Sequence, residues 1–185
     1  MHQRRCLCDQ IPTLNLATRV VLVMHKHERY KPTATAPLAM AALTNHVWLM
    51  HGDRDHHISL VPQVEPDRRG LILFPSEGAR VLSAELLAED PRPVTLVVPD
   101  GNWRQASKAA RRLPGVDQFD NVVLPAGPPS KYRLRREPQP GGLATMEAIA
   151  RALGILEGPS VRAQLEALFD EMVRQTLLTR NPDGS

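Results

Sequence analysis

The fold is decided by the stretch PVTLVVPDGNWRQASKAARRL, which runs from Pro93 to Leu113. Its first part, Pro93–Val98, is a short apolar run, which is typical of a strand buried on both faces. Asp100 and a glycine then signal a turn, and Asn102 has a side chain that caps helices. The rest has helical spacing, with an apolar face of Trp103, Ala106, Ala110 and Leu113. The stretch therefore predicts a strand that leads directly into a helix.

The same alternation recurs on both sides of this stretch. Four more short apolar runs have the same character: Arg19–His25, His46–His51, Gly70–Pro75 and Asn121–Pro125. Helical spacing recurs between them over Thr35–Leu43 and Gly78–Leu87. Because strands that alternate with helices form parallel sheets with right-handed crossovers, the sequence predicts an α/β fold with a parallel sheet.

The last third of the chain departs from this alternation. The segment Pro125–Gly142 is rich in Pro and Gly and strongly basic, and a loop of this length is usually functional or disordered. Thr145 is predicted to cap a helix that stops at Gly154. Ser160 is predicted to cap the last helix, and residues 180–185 are expected to be a disordered tail. The apolar stripe of the last helix consists of Val161, Leu165, Leu168, Met172 and Val173.

The length of 185 residues suits one domain over residues 1–185, with residues 1–18 as an N-terminal extension. No run approaches the ~20 apolar residues that cross a bilayer, and the start has no apolar stretch like a secretory signal. We therefore expect a cytoplasmic protein without membrane contact, and no protein partner is evident.

Cys6 and Cys8 are too close for an ordinary disulfide. They could form half of a zinc site that His2 or another histidine completes, but with two thiolates no metal is expected.

The positive charge is concentrated in one part of the chain. The formal net charge is only +3, yet residues 100–136 contain eight Lys or Arg against three acids, a local net charge of +5. A phosphate backbone is a natural partner for such a patch. A solvated cationic face with no ligand is the alternative.

Two strand ends are candidate sites, because ligands of open parallel sheets gather at the carboxyl ends of the strands. At Phe74–Ala79 a helix is expected to begin, and its free amides could hold a carboxylate or phosphate, or Ser76 could simply cap it. At the other end, Trp103 is expected to face inward beside Asp100. An indole that removes water makes a carboxylate a better proton acceptor near neutral pH. Asp100 is thus a candidate base, although an aspartate at such a turn also serves for capping alone.

The histidines give weaker signals. One group follows the first predicted strand and could supply ligands, although a surface or hydrogen-bonded histidine is the commoner case: His25, His27 and Glu28. The other group is expected in a polar connecting loop, where no helical spacing supports a metal: His51, Asp53, Asp55, His56 and His57.

Six motifs occur in a fixed order along the chain: Cys6-Leu-Cys8, His25-x-x-Glu28 followed by Thr33-x-Thr35, Phe74-Pro-Ser-Glu77, Asp100-Gly-Asn-Trp103, Tyr132-x-x-Arg135 and Thr145-Met-Glu-Ala148. With this ordered set, the sequence resembles the DTW-domain family, which is related to the SPOUT RNA methyltransferases. The resemblance implies a SPOUT-like parallel-sheet domain with a knotted C-terminal half. It also implies an enzyme that transfers the 3-amino-3-carboxypropyl group of S-adenosylmethionine to a uridine ring nitrogen in tRNA and releases methylthioadenosine.

The resemblance assigns roles to particular residues. Asp100 would remove the proton from the ring nitrogen, and Trp103 would shape and dry the pocket. The expected cofactor-binding residues are Phe74, Pro75, Ser76, Glu77, Leu124, Pro125, Tyr132, Leu134, Arg135, Leu143, Thr145 and Glu147. The expected tRNA-binding residues are Arg104, Lys108, Arg111, Arg112, Lys131, Arg133 and Arg136.

The chain also departs from the family pattern. Asn102 stands where a threonine is usual, and Ala34 stands where an asparagine is usual between the two threonines. A second cysteine pair, common upstream in bacterial relatives, is absent from this sequence, so zinc at Cys6 and Cys8 is uncertain. The alternative functions are a methyltransferase on the same fold and a non-catalytic RNA-binding module.

Overall fold

The computed structural model describes residues 6–53, 57–132 and 142–180. These residues form six strands and five α-helices. The strands are β1 Arg19–His25, β2 His46–His51, β3 Arg69–Leu73, β4 Arg80–Val81, β5 Val94–Asp100 and β6 Asp120–Val123. The helices are α1 Ala36–Ala42, α2 Ala84–Ala88, α3 Trp103–Arg112, α4 Thr145–Leu156 and α5 Pro159–Arg180. Their order along the chain is β1-α1-β2-β3-β4-α2-β5-α3-β6-α4-α5.

The strands form one parallel sheet in the order β2-β1-β5-β3-β6-β4. The predicted α/β fold with a parallel sheet is therefore confirmed, and the predicted bounds of β1 and β2 are met at both ends. The register sets Met24 beside Asp100 and His25 beside His51. As a result, the carboxyl ends of the central strands lie at one edge of the sheet.

Helices cover both faces of the sheet, which explains why the central strands are apolar throughout. In β1, Val20, Leu22 and Met24 point into one hydrophobic core, whereas Val21 and Val23 point into the other. The larger core contains residues of α1, α2, α4 and α5. The smaller core contains Ala106, Ala109 and Ala110 of α3. These alanines let α3 lie close against the sheet.

The prediction of a helix over Gly78–Leu87 is wrong. Gly78 has φ +77°, a left-handed conformation in which the chain turns and no helix starts. The following residues form the edge strand β4, in which Arg80 pairs with Val122 and Val81 with Val123. Only then does Ser83 cap the short α2, accepting a hydrogen bond from the N–H of Leu86 (3.3 Å). No helix begins at Phe74–Ala79, so the helix amides expected to hold an anion there, and the helix that Ser76 was expected to cap, are absent from this position.

Three predicted helix ends also need correction. Ala144, not Thr145, occupies the N-cap position of α4, and α4 continues past Gly154 to Leu156. A Cβ at Gly154 would lie 2.8 Å from the Cβ of Arg162, so this glycine permits close packing of α4 on α5 and does not end the helix. The chain turns instead at Gly158, with φ +111°, and α5 begins one residue before Ser160.

The apolar stripe of α5 is as predicted, with the buried Phe169 in addition to the predicted residues. The helix runs through Arg180, and the predicted disordered tail beyond it lies outside the described residues.

The N-terminal segment packs on the larger core. Leu7 and Leu14 are buried, and the N–H of Leu14 donates to the carbonyl of Ala42 (2.8 Å). Cys6 and Cys8 are joined by a disulfide, contrary to the sequence expectation. Their Cα atoms lie 5.5 Å apart, within the normal disulfide range, because the backbone of Leu7 between them is folded (φ −94°, ψ 6°) and not extended.

No helix among the described residues has the length and apolar character needed to cross a membrane.

Candidate active site

A cavity of about 600 Å³ opens at the carboxyl ends of three neighbouring strands, β5, β3 and β6. Ligands of parallel sheets bind at this edge, and the volume is typical of a small-molecule site. Its lining is mostly apolar. The turn after β1 and the start of α4 form the remaining walls.

Asp100 ends β5 inside this cavity and is 8% exposed. The hydroxyl of Thr145 donates a hydrogen bond of 2.5 Å to its Oδ1. Thr145 reaches this position because it is the first residue of α4 and not its cap. A buried carboxylate with a fixed orientation can accept a proton from a ligand in the cavity.

The turn after Asp100 is built by local capping. Asn102 Oδ1 accepts from the N–H of Gln105 (2.9 Å), and Gln105 Oε1 accepts from the N–H of Asn102 (2.8 Å). A Cβ at Gly101 would lie 2.9 Å from the Cβ of Gln105, so a glycine is needed for close approach. The predicted Asn102 cap is confirmed, and such a cap contributes about 1 kcal/mol to the helix.

Trp103 lines the cavity, but the prediction that it faces inward is wrong. Its side chain is 46% exposed, and its ring is stacked on Phe74 with centroids 5.0 Å apart and planes tilted by 36°. As the first residue of α3, Trp103 lies at the rim of the cavity, and the buried face of the helix begins at Ala106. The two aromatic rings therefore form an apolar wall at the mouth.

The predicted cofactor-binding residues divide into three groups. Those that line the cavity are Phe74, Pro75, Leu124, Tyr132, Leu143 and Thr145. Those outside its lining are Ser76, Glu77, Pro125 and Glu147. Leu134 and Arg135 lie outside the described residues.

Glu147 lies outside the cavity lining and connects two segments that flank the cavity. Its buried carboxylate accepts hydrogen bonds from the hydroxyl of Ser130 (2.6 Å), the N–H of Lys131 (2.8 Å) and the N–H of Ala144 (2.9 Å). It thus joins residues on both sides of segment 133–141 to the start of α4. Tyr132 extends this arrangement, since its hydroxyl donates to the carbonyl of Thr33 (2.5 Å).

Three further polar residues line the cavity that were not among the expected cofactor-binding residues: Glu28, Thr33 and Thr35. Glu28 is only 3% exposed and forms an ion pair with Lys31. Thr35 Oγ1 accepts from the N–H of Met146 (3.2 Å), which ties the turn after β1 to α4. The motif His25-x-x-Glu28 with Thr33-x-Thr35 was the signal that could have placed them here.

His25 and His51 end adjacent strands beside the site, with ring centroids 5.0 Å apart. His51 therefore belongs to β2 and not to the predicted loop, while Asp55 and His56 lie outside the described residues. Burial, followed by repulsion from His25 and Lys108, lowers the pKa of His51 to about 4. Burial and the neighbouring His27 also lower the pKa of His25. Both imidazoles are therefore neutral at physiological pH.

Within the described ranges, no three His, Cys, Asp or Glu side chains are grouped as a metal site.

The predicted tRNA-binding cations occupy different surroundings. Those on α3 are exposed, and none makes an ion pair with a carboxylate of the described residues: Arg104, Lys108, Arg111 and Arg112. Lys131 Nζ instead pairs with Asp170 of α5 at 3.1 Å. Arg133 and Arg136 lie outside the described residues. The exposed surface of α3 is therefore a continuous cationic stripe next to the cavity mouth.

Comparison with known proteins gives consistent similarities. A family model described as the DTW domain matches residues 1–177. The chain is 29% identical over 163 residues to tRNA-uridine aminocarboxypropyltransferase 2 of Macaca fascicularis, covering 84% of this chain and 54% of that protein. It is also 29% identical over 200 residues to tRNA-uridine aminocarboxypropyltransferase A of Arabidopsis thaliana, covering 91% and 75%. The chain thus spans about half the length of its mammalian relative.

Among solved structures, the SAM-dependent rRNA:acp-transferase Tsr3 from Vulcanisaeta distributa has a similar fold, with a TM-score of 0.50 and 17% identity. The match covers 89% of this chain and 79% of that one.

Proposed function

The chain belongs to the DTW domain family, and from this premise we propose that it transfers the 3-amino-3-carboxypropyl group of S-adenosylmethionine to a uridine ring nitrogen in tRNA. Relatives named tRNA-uridine aminocarboxypropyltransferase from animals and plants support this activity. The observation that carries the proposal is the buried carboxylate of Asp100 inside a mostly apolar cavity at the carboxyl edge of the sheet.

The cavity suits S-adenosylmethionine in size and chemistry. Its volume of about 600 Å³ is adequate for a nucleoside with an amino-acid chain. The apolar lining from β3 and β6 fits an adenine ring, and the buried carboxylate of Glu28 favours a cationic group. When bound, S-adenosylmethionine supplies a carbon chain activated by its sulfonium and leaves as methylthioadenosine.

The chain's own residues would activate the uridine. The ring nitrogen bears a proton and is a poor nucleophile until a base removes it. We assign this role to Asp100, and Thr145 holds its carboxylate in position. As the proton moves to Asp100, the nitrogen forms the new bond to carbon, and the broken carbon–sulfur bond leaves its electron pair on sulfur. Trp103 and Phe74 would exclude water at the mouth.

The cationic stripe of α3 would bind tRNA phosphates. Phosphate contacts give affinity and orientation but little sequence choice. The choice of uridine would then depend on which nucleoside reaches the cavity.

A cytoplasmic location stays a prediction from the sequence.

The finer topology also belongs to the proposal, namely a SPOUT-like fold with a knotted C-terminal half. In support, β6 pairs with β4, which is the edge strand of the sheet. Helix α4 packs on β5, which lies in the middle of the sheet, and on α1. The end of β6 and the start of α4 therefore lie at different places across the sheet, as a knotted arrangement requires.

The test is to incubate the protein with S-adenosylmethionine and unmodified tRNA, and to identify the products by mass spectrometry of the nucleosides. We expect a uridine bearing the aminocarboxypropyl group, together with methylthioadenosine. A methylated nucleoside with S-adenosylhomocysteine would instead identify a methyltransferase. Binding of tRNA without any nucleoside product, and without calorimetric heat from S-adenosylmethionine, would identify an RNA-binding module. Either of these results would overturn the proposal.

A further inference from the structure

Glu28 is a buried carboxylate in the cavity that the base role of Asp100 does not use. It is 3% exposed and lies in the turn after β1, where its N–H donates to the carbonyl of His25 (2.8 Å). Its carbonyl accepts from the N–H of Lys31 (3.1 Å), so the backbone on both sides of the side chain is fixed. The carboxylate is thus held in place before any ligand arrives.

The charge of Glu28 is matched by a neighbouring cation, Lys31. Lys31 Nζ pairs with Glu28 Oε1, and the lysine side chain is 39% exposed whereas that of the glutamate is 4% exposed. Burying a carboxylate costs several kcal/mol unless it is paired and hydrogen-bonded. A carboxylate has about four acceptor positions, so a paired carboxylate in a cavity wall can also accept a hydrogen bond from a ligand. Glu28 therefore presents a negative charge in the wall of the cavity to a cationic group of a ligand.

Building on the proposed function, we infer that Glu28 binds the α-ammonium group at the amino-acid end of S-adenosylmethionine. The described lining contains two carboxylates, Glu28 on the β1 side and Asp100 on the β5 side. The proposed reaction needs one of them to accept a proton and one to hold a cation. Glu28 already holds a cation, whereas Asp100 is oriented by the hydroxyl of Thr145.

This contact would also determine the product. Three carbons are bonded to the sulfonium, and the one that reacts is the one held in line with the nucleophile. By fixing the ammonium end against the β1 side, Glu28 would fix the path of the aminocarboxypropyl chain relative to Asp100. Glu28 is therefore a residue that selects this chain over the methyl group.

The experiment is calorimetric titration of the Glu28→Gln variant with three ligands. S-adenosylmethionine has both the sulfonium and the ammonium, S-adenosylhomocysteine has only the ammonium, and methylthioadenosine has neither. We expect the affinity of the first two to fall about 10-fold to 100-fold, as for loss of one charge-assisted hydrogen bond, with methylthioadenosine binding unchanged. Glu171→Gln is the matched control, because it removes a glutamate from an i,i+3 ion pair on α5, away from the cavity.

Equal weakening of all three ligands, or no weakening, would overturn the inference. Weakening of S-adenosylmethionine alone would overturn it too, because Glu28 would then serve the sulfonium. If the wild-type protein binds none of the three ligands, the proposed function itself fails.

Should the variant not fold, as judged by circular dichroism, the wild-type protein is titrated with an S-adenosylmethionine analogue that lacks the amino group. Unchanged affinity for this analogue would then refute the inference, and a loss of about 10-fold or more would support it.

Discussion

At the scale of single residues, the contact between Asp100 and Thr145 joins two segments that are 45 residues apart. It orients a carboxylate in the wall of a mostly apolar cavity. Its chemistry depends on that orientation, because proton transfer requires a donor and an acceptor within hydrogen-bond reach.

The Asp100→Asn substitution keeps the shape of the side chain and removes the base. We expect tRNA and S-adenosylmethionine to bind with nearly unchanged affinity and the rate of transfer to fall by about 100-fold or more, the usual contribution of a general base. Single-turnover product formation measures the rate. Thr145→Ser, which keeps the hydroxyl, is the control and should stay active, whereas full activity of Asp100→Asn would exclude Asp100 as the base.

His51 makes stability depend on pH. The folded protein keeps this imidazole neutral down to a pKa of about 4, whereas in the unfolded chain it takes up a proton near its usual 6.5. Between these values the unfolded state binds more protons, so the free energy of unfolding falls as the pH falls from 6.5 towards 4. With allowance for the partial exposure of His51, the loss is about 1 kcal/mol.

Urea unfolding at pH 7 and pH 5 measures this effect. The His51→Gln variant should lose less stability between the two pH values than the wild type. His57→Gln, a substitution at an exposed position, should behave like the wild type. If the stability of the His51 variant and that of the wild type depend equally on pH, the low pKa of His51 is not the cause of the effect.

At the scale of elements, α3 combines two surfaces with different roles. Its buried alanines pack on the sheet, and its exposed cations face solvent beside the cavity. The tight packing holds the cationic stripe at a fixed position relative to Asp100.

Reversing the charges of Arg104 and Lys108 to Glu should weaken tRNA binding about 10-fold or more at moderate salt. The slope of log K against log salt should fall by about two, because each lost phosphate contact removes about one unit. Affinity for S-adenosylmethionine should stay nearly unchanged. Filter binding over a salt series measures the tRNA affinity and the salt slope. The control reverses Arg92, in the loop before β5, and Arg174 on α5, two exposed cations away from α3. An equal loss of tRNA and cofactor affinity would count against the role of the stripe.

The start of α4 depends on Glu147 for its connection to residues 130–132. In the Glu147→Gln variant, one carboxylate oxygen is replaced by an NH₂ group that cannot accept hydrogen bonds from Ser130 or the backbone. We expect a loss of about 2–4 kcal/mol in the free energy of unfolding and a higher KM for S-adenosylmethionine, because the rim of the cavity loosens. Chemical denaturation and steady-state kinetics measure the two effects. Glu166→Gln on α5 is the control, and an unchanged KM would contradict the positioning role.

At the scale of the whole molecule, the cavity joins the turn after β1, three strand ends and the start of α4. A ligand bound there contacts segments from both halves of the chain. At a concentration 100 times its Kd, S-adenosylmethionine should stabilise the fold by about 2.7 kcal/mol and raise Tm by about 5–10 °C. Differential scanning calorimetry tests this. An unchanged Tm at saturating ligand would place S-adenosylmethionine binding in doubt.

Much of the fold could be predicted from local patterns. The runs that became β1 and β5 are too apolar for any position except a covered sheet, and the Asn102 cap is a signal within a few residues. The run that became β2 was also predicted correctly as a strand, but it lies at the edge of the sheet and is only partly buried. The errors lie where long-range packing overrides local preference. Gly78 and Gly154 were each interpreted as helix boundaries, yet one sits in a turn before an edge strand and the other accommodates the side chain of Arg162.

The sequence by itself determined the α/β class, the strand–turn–helix unit around Asp100, the cationic face of α3 and, through its ordered motifs, the family. Only the tertiary structure decided which strand ends are neighbours. It therefore decided that Glu28, Asp100 and Thr145 meet in one cavity while Trp103 turns outward at its mouth. The physical reason is that burial pattern and capping act over a few residues, whereas the order of strands is set by the packing of the complete sheet between its two cores.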